Sequence, residues 1–131
     1  MSQVTDGTAL EVTALNNLAQ SCAQISRDHG FHDVAYEQFE ASTITSLALI
    51  ASEAFEALET FRKRYEIGQD DARNAKTGMT GKQTVAFLDE LADIVIRTFD
   101  LAGKNHMNIG QAIIDKMEKN RARPYLHGKA F

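Results

Sequence analysis

The sequence predicts an all-α fold, a bundle of four or five helices forming one domain over residues 1–131. Three observations carry that reading. Two long stretches, 47–61 and 87–102, place apolar residues at the three- and four-residue spacing of a helix face. The breaks between periodic stretches fall where helices stop: at Gly30, in the glycine-bearing run 66–82, and at Pro124, the sole proline. No segment alternates convincingly as a strand does.

In chain order, Asp6 is a candidate N-cap for a first helix over about 8–28. Leu10, Ala14, Leu15, Leu18, Cys22 and Ile25 supply its apolar stripe. The run HGFHDVAYEQF (29–39) mixes histidines and aromatics and reads as a connector. It admits a helix starting near Tyr36, or a short helix ahead of a main one starting near Ser42. The second long helix covers about 42–65, with Leu47, Ile50, Ala51, Ala54, Leu58 and Phe61 as its core line. It ends on Arg62, Lys63 and Arg64, cations suited to a helix C-terminus. Residues 66–82 hold three glycines and little apolar periodicity, so a mobile loop is expected there. The third helix is expected over about 84–104. Asn108 caps a fourth, over about 109–122, with Ile109, Ala112, Ile113 and Met117 inward. Lys116, Asn120 and Arg123 share one face of it. The tail PYLHGKAF is short, basic and aromatic.

The chemistry lies on the second and third helices. At about 100° per residue, Leu88, Leu91, Ala92, Val95, Phe99 and Ala102 share a face, with Phe87, Ile94 and Leu101 beside it. Glu90, Asp93 and Asp100 fall together on the opposite side, with Arg97 among them. Such a strip within an otherwise apolar helix predicts carboxylates turned toward a cleft or an assembly interior. Acids placed there need a cation or a proton. Glu53 and Glu56 form a second i, i+3 pair, off the core line of their helix. Packed side by side, the two pairs can converge on a hard divalent ion such as Mg²⁺, which takes oxygen ligands. The plainer alternative is two solvated helix faces.

Composition bounds the rest. A net charge of −4, from 14 basic and 18 acidic residues, argues against nucleic acid as the partner. The one cysteine, Cys22, sits in an apolar helical pattern, reads as core, and suits a reducing cytoplasm. No apolar stretch approaches the roughly 20 residues of a membrane span, and no secretory leader is expected. A bundle this small has a thin core, so homo-oligomerisation is expected.

SEAFEALE (52–59), ELADIVIRTFDLAG (90–103) and KMEKNRARPYLHGKAF (116–131), with HGFHD (29–33), resemble the all-α nucleoside triphosphate pyrophosphatases, specifically the MazG-like group. The resemblance covers the chain from about residue 29 onward. It implies an oligomeric helical bundle that binds Mg²⁺, with Mn²⁺ as a substitute, and hydrolyses a nucleoside triphosphate between the α and β phosphates. By that resemblance Glu53, Glu56, Glu90 and Asp93 are the metal ligands and catalytic residues. Glu59 or one of the four orients water, and Arg97 and Asp100 support them. Lys116, Asn120 and Arg123 bind phosphate oxygens, joined by His127 and Lys129 from the tail. Phe31 and His32 bracket the base. In two respects the chain departs from the group: Ser52 stands where many relatives carry an acid, and the Glu56–Glu90 interval is long. Two further functions fit the same pattern, a non-catalytic oligomerisation module with a vestigial metal site and a pyrophosphohydrolase of a phosphoribosyl-nucleotide. The assembly is expected to be a homodimer or homotetramer.

Overall fold

The structure, a computed structural model, describes residues 6–32, 38–65 and 72–125. Among them are four helices, α1 (Asp6–Asp28), α2 (Phe39–Arg62), α3 (Gly81–Lys104) and α4 (Ile109–Arg121), a 3-10 turn Lys63–Tyr65, and no strand. The all-α expectation holds.

Local chemistry sets each boundary. α1 closes on a left-handed Gly30, φ 79°. The Phe31 amide donates to Ser26 C=O and the Gly30 amide to Arg27 C=O, which caps the last carbonyls. α3 starts at Gly81, earlier than the expected Thr84, because Thr80 and Gln83 form a reciprocal capping box. α3 ends as α1 does, with His106 at φ 52° in the left-handed place. Met107 and His106 donate there to the Ala102 and Gly103 carbonyls. Asn108 caps α4 by accepting from the Gln111 amide, and Asn16 of α1 donates to the same Oδ1 at 2.8 Å. α1 is thereby tied to the α3–α4 turn.

α2 and α3 run antiparallel. Phe61 and Phe87 meet at one end with ring centroids 5.9 Å apart. At the other end Lys104 Nζ donates to Ser42 Oγ and Ser46 Oγ at 3.2 and 3.1 Å. α1 packs on the C-terminal half of α3 and on α4. Small residues allow a close approach there. A Cβ on Gly103 would stand 2.3 Å from the Ala19 carbonyl oxygen, and one on Gly110 2.5 Å from that of Val12. Ala19, Cys22 and Phe99 form the buried cluster. Burial raises the Cys22 thiol pKa, and the nearby Asp100 charge adds to it, so Cys22 remains a neutral core residue.

Three expectations need correction. Most of the expected core line of α2 is open: Leu47 and Leu58 are 54% and 51% exposed, Ile50 and Phe61 are half-buried, and the buried α2 residues are Glu53 and Ala57. On α3, Phe99 and Ala102 are buried but Leu88 and Val95 are exposed, since α1 covers only the C-terminal half. On α1, Leu10, Leu18 and Ile25 are exposed; the buried line runs through Ala19, Cys22 and Ala23. Helical periodicity marks an apolar face without saying which neighbour covers it.

The glycine-bearing segment ahead of α3 is a loop, as expected, over its described residues. Residues 72–80, the described part, are closely bonded. Arg73 donates to the carbonyls of Arg64 and Gly78 and to Gln83 Oε1. Asn74 Oδ1 accepts from the Lys76 and Thr77 amides. Met79 and Thr80 are buried. Arg64 stacks on Phe61 and Tyr65, 3.8 and 4.4 Å from their ring centroids, which anchors the same corner.

Gly103→Ala tests the α1–α3 contact. In an open helix the change would add about 1 kcal/mol of stability. Against the α1 backbone it is expected to cost about 1–3 kcal/mol net, since the obstructing atom is a carbonyl oxygen that cannot rotate away. Urea melts of wild type and variant measure this.

Candidate metal centre

The inward face of α2 carries Glu53, and the antiparallel α3 sets Glu90 beside it. One carboxylate oxygen each from Glu53, Glu56 and Glu90 all lie within 4.8 Å of one another. Two of the three share an α2 face one turn apart, as their spacing implies. Glu53 is 7% exposed, yet it stays compensated because Arg97 Nε donates to its Oε1 at 2.5 Å. Among the described residues that is the ion pair the trio makes. Glu56 is exposed and lies against two other acids. A shared hydrogen bond with Glu53 and the charges of Glu53 and Glu90 raise its carboxyl above the usual range. The cluster thus carries uncompensated negative charge at one point, with oxygen donors from two helices. That donor set suits a hard divalent cation.

Asp93 lies one turn beyond Glu90 and outside the trio. It is exposed and lines a cleft of about 880 Å³ between the first half of α2 and the second half of α3. Asp93, Ile96, Arg97, Asp100 and Lys104 form the α3 wall, at the i, i+3, i+4, i+7, i+11 spacing of one stripe. Ser42, Thr45 and Ser46 line the α2 wall, and Phe31 and His32 the side. His32 Nε2 lies 2.7 Å from Asp100 Oδ1, a contact that places the proton on Nε2. Phe31 presents its ring to solvent at 75% exposure.

Other expected site residues lie elsewhere. Glu59 is not one of the trio; it pairs with Lys63 at 3.2 Å and Arg62 at 3.5 Å at the basic end of α2. Lys116, Asn120 and Arg123 are exposed on or just beyond α4, and none lines the cleft. His127 and Lys129 fall outside the described residues. Sequence reading missed Lys104, Ser42 and Ser46. A serine pair at i, i+4, and a lysine one turn beyond Asp100 on its own stripe, were the signals available.

No protein-family model matches the chain, and no solved structure matches it. Among curated proteins it is similar to dCTP pyrophosphatase 1 of Rattus norvegicus and of Mus musculus. Each is 32% identical over 92 residues, 70% of this chain. The chain spans about half the length of these relatives, 51%. The likeness is distant and supports the resemblance at the level of the superfamily.

The raised Glu56 carboxyl predicts a pH dependence in protein held metal-free by a chelator. Folded Glu56 binds its proton more tightly than unfolded Glu56. Its stabilising contribution is therefore full below pH 4.5 and lost as pH rises through the higher native value. Glu56→Gln should melt above wild type at neutral pH, and the gap should close on acidification. The effect is small because the group is solvated. Thermal melts across that range measure it, and a gap that widens on acidification contradicts the assignment.

Proposed function

We propose that this chain is a Mg²⁺-dependent nucleoside triphosphate pyrophosphohydrolase, which cleaves between the α and β phosphates to release a monophosphate and pyrophosphate. The observation that carries the proposal is the convergence of Glu53, Glu56 and Glu90 within 4.8 Å, beside a cleft of about 880 Å³. That volume suits a nucleotide-sized ligand. The likeness to dCTP pyrophosphatase 1 points the same way.

In this reading Glu53, Glu56, Glu90 and Asp93 hold the ion, with Mn²⁺ able to substitute. Bound Mg²⁺ would neutralise phosphate oxygens and lower the pKa of a water. The acids alone would repel a triphosphate, so activity requires the cation. Arg97 fixes the Glu53 carboxylate and offsets one negative charge. One of the four acids, or Glu59, orients the attacking water and takes its proton. Phe31 and His32 flank the cleft where a base would enter. Lys116, Asn120 and Arg123, with His127 and Lys129, supply phosphate contacts.

The same proposal includes a homo-oligomer, dimer or tetramer. Its support is the outward apolar line of α2, where Leu47, Phe55 and Leu58 are 54%, 71% and 51% exposed. α2 turns its acids toward α3 and its oil outward, an arrangement that is stable in water once another surface covers the oil. A second copy offers the same face by symmetry. The cationic α4 face is exposed, so it is free to serve a neighbouring subunit's site.

The direct experiment is pyrophosphate release from a panel of ribo- and deoxynucleoside triphosphates and a phosphoribosyl-nucleotide, with Mg²⁺ and with chelator. Release is expected with Mg²⁺ alone. Glu53→Gln and Glu90→Gln should each lower kcat/KM by about a hundredfold or more, the scale of losing one charge-stabilising group. No release from any substrate would favour the non-catalytic module. In a separate measurement, light scattering should find wild type larger than a monomer and Leu58→Glu shifted toward monomer.

A further inference from the structure

The cleft wall holds two opposite charges that do not pair. Asp100 and Lys104 are one turn apart on α3, acid first, the favourable order for an i, i+4 ion pair. Among the described residues they make none. Asp100 accepts instead from His32 Nε2 at 2.7 Å, and Lys104 Nζ donates across the cleft to Ser42 Oγ and Ser46 Oγ at 3.2 and 3.1 Å. Both line the cleft. Each charge is therefore held by a separate partner, so the wall presents an acceptor and a donor side by side. A carboxylate only accepts and an ammonium only donates. Lys104 has a third N–H beyond the two given to the serines, and Asp100 has a second oxygen.

Their order along the helix matters. Measured from Asp93, at the acidic end, Asp100 lies about 10 Å along α3 and Lys104 about 16 Å. With the phosphates at the acids, the edge of a pyrimidine joined to its sugar through N1 runs outward from O2 to N3 to the group on C4. N3 then meets the nearer residue, Asp100, and the C4 substituent meets the farther one, Lys104.

We propose that this cleft selects a pyrimidine nucleotide with a 4-oxo edge, uracil or thymine, over cytosine, with Asp100 accepting from N3–H and Lys104 donating to O4. Cytosine opposes both contacts: its N3 is an acceptor facing a carboxylate, and its 4-amino group is a donor facing an ammonium. A site built on hydrogen bonds discriminates strongly when the wrong ligand leaves its polar groups unpaired. His32 acts as a positioning residue, since it fixes the Asp100 carboxylate. This inference rests on the pyrophosphohydrolase reading for the placement of the phosphates, and it assigns a base opposite to that in the names of the curated relatives.

The test compares kcat/KM of the wild type for dUTP, dTTP and dCTP with Mg²⁺. The expected result is a preference of about tenfold or more for dUTP and dTTP. The double variant Asp100→Asn with Lys104→Gln can present an amide N–H to N3 and an amide oxygen to the 4-amino group, so its ratio should move toward dCTP. A merely structural role would lower all three together. Wild type that turns over dCTP as well as or better than dUTP overturns this inference and leaves the pyrophosphohydrolase reading standing. Calorimetric titration with the α,β-imido analogues of dUTP and dCTP reads the preference independently of turnover. Absence of both turnover and binding overturns the two readings together.

Discussion

Everything at the site depends on α2 and α3 packing antiparallel through their acidic faces. Three carboxylates come within 4.8 Å, and Arg97 compensates one of them. Such a contact is unfavourable by itself, because like charges raise each other's proton affinity, as the direction for Glu56 shows. The helices are brought together by what flanks it. Phe61 meets Phe87 at one end, and Lys104 is bonded to two serines at the other. The capping box at Thr80 and the Arg73-centred loop fix where α3 begins, and so its register against α2. The electrostatic cost sits at one point, where a cation relieves it.

That register links the acids to the cleft. Glu90, Asp93, Arg97, Asp100 and Lys104 descend α3 in one continuous series. Moving along it, the chemistry changes from oxygen donors, to an acid held by Arg97, to an acid held by histidine, to a lysine held by serines. A triphosphate with its charged end at the acids and its base along the series meets a different partner at each step. α1 contributes from behind: its close approach at Gly103 and the Asn16–Asn108 bond hold the C-terminal half of α3 in place, and the segment after it carries Phe31 and His32 to the cleft.

Much of this was legible in the sequence. Acid pairs at i, i+3 on two long helices pointed to their meeting, and Glu53, Glu56 and Glu90 do meet. Gly30 closes α1 through its left-handed backbone, and Asn108 opens α4 through its side-chain cap. What periodicity could not supply was the identity of the covering neighbour. Leu47 and Leu58 mark an apolar face of α2 correctly, but within one chain that face is open. The contact with α3 runs through the less apolar side, because Ala57 permits approach there and Glu53 finds Arg97. The Thr80–Gln83 box lay inside a glycine-bearing segment whose composition concealed it. The Lys104–serine contact joins residues some sixty positions apart, and no local pattern encodes such a pairing.

The central claim is that the trio is a divalent-cation site. Electron paramagnetic resonance of Mn²⁺ titrated into the purified protein counts free ion directly and needs no substrate. The account predicts saturable binding at stoichiometric sites, displaced by Mg²⁺ and lost in both Glu53→Gln and Glu90→Gln while the helical circular dichroism is retained. A titration in which Mn²⁺ stays free, or one that either substitution leaves unchanged, would contradict it.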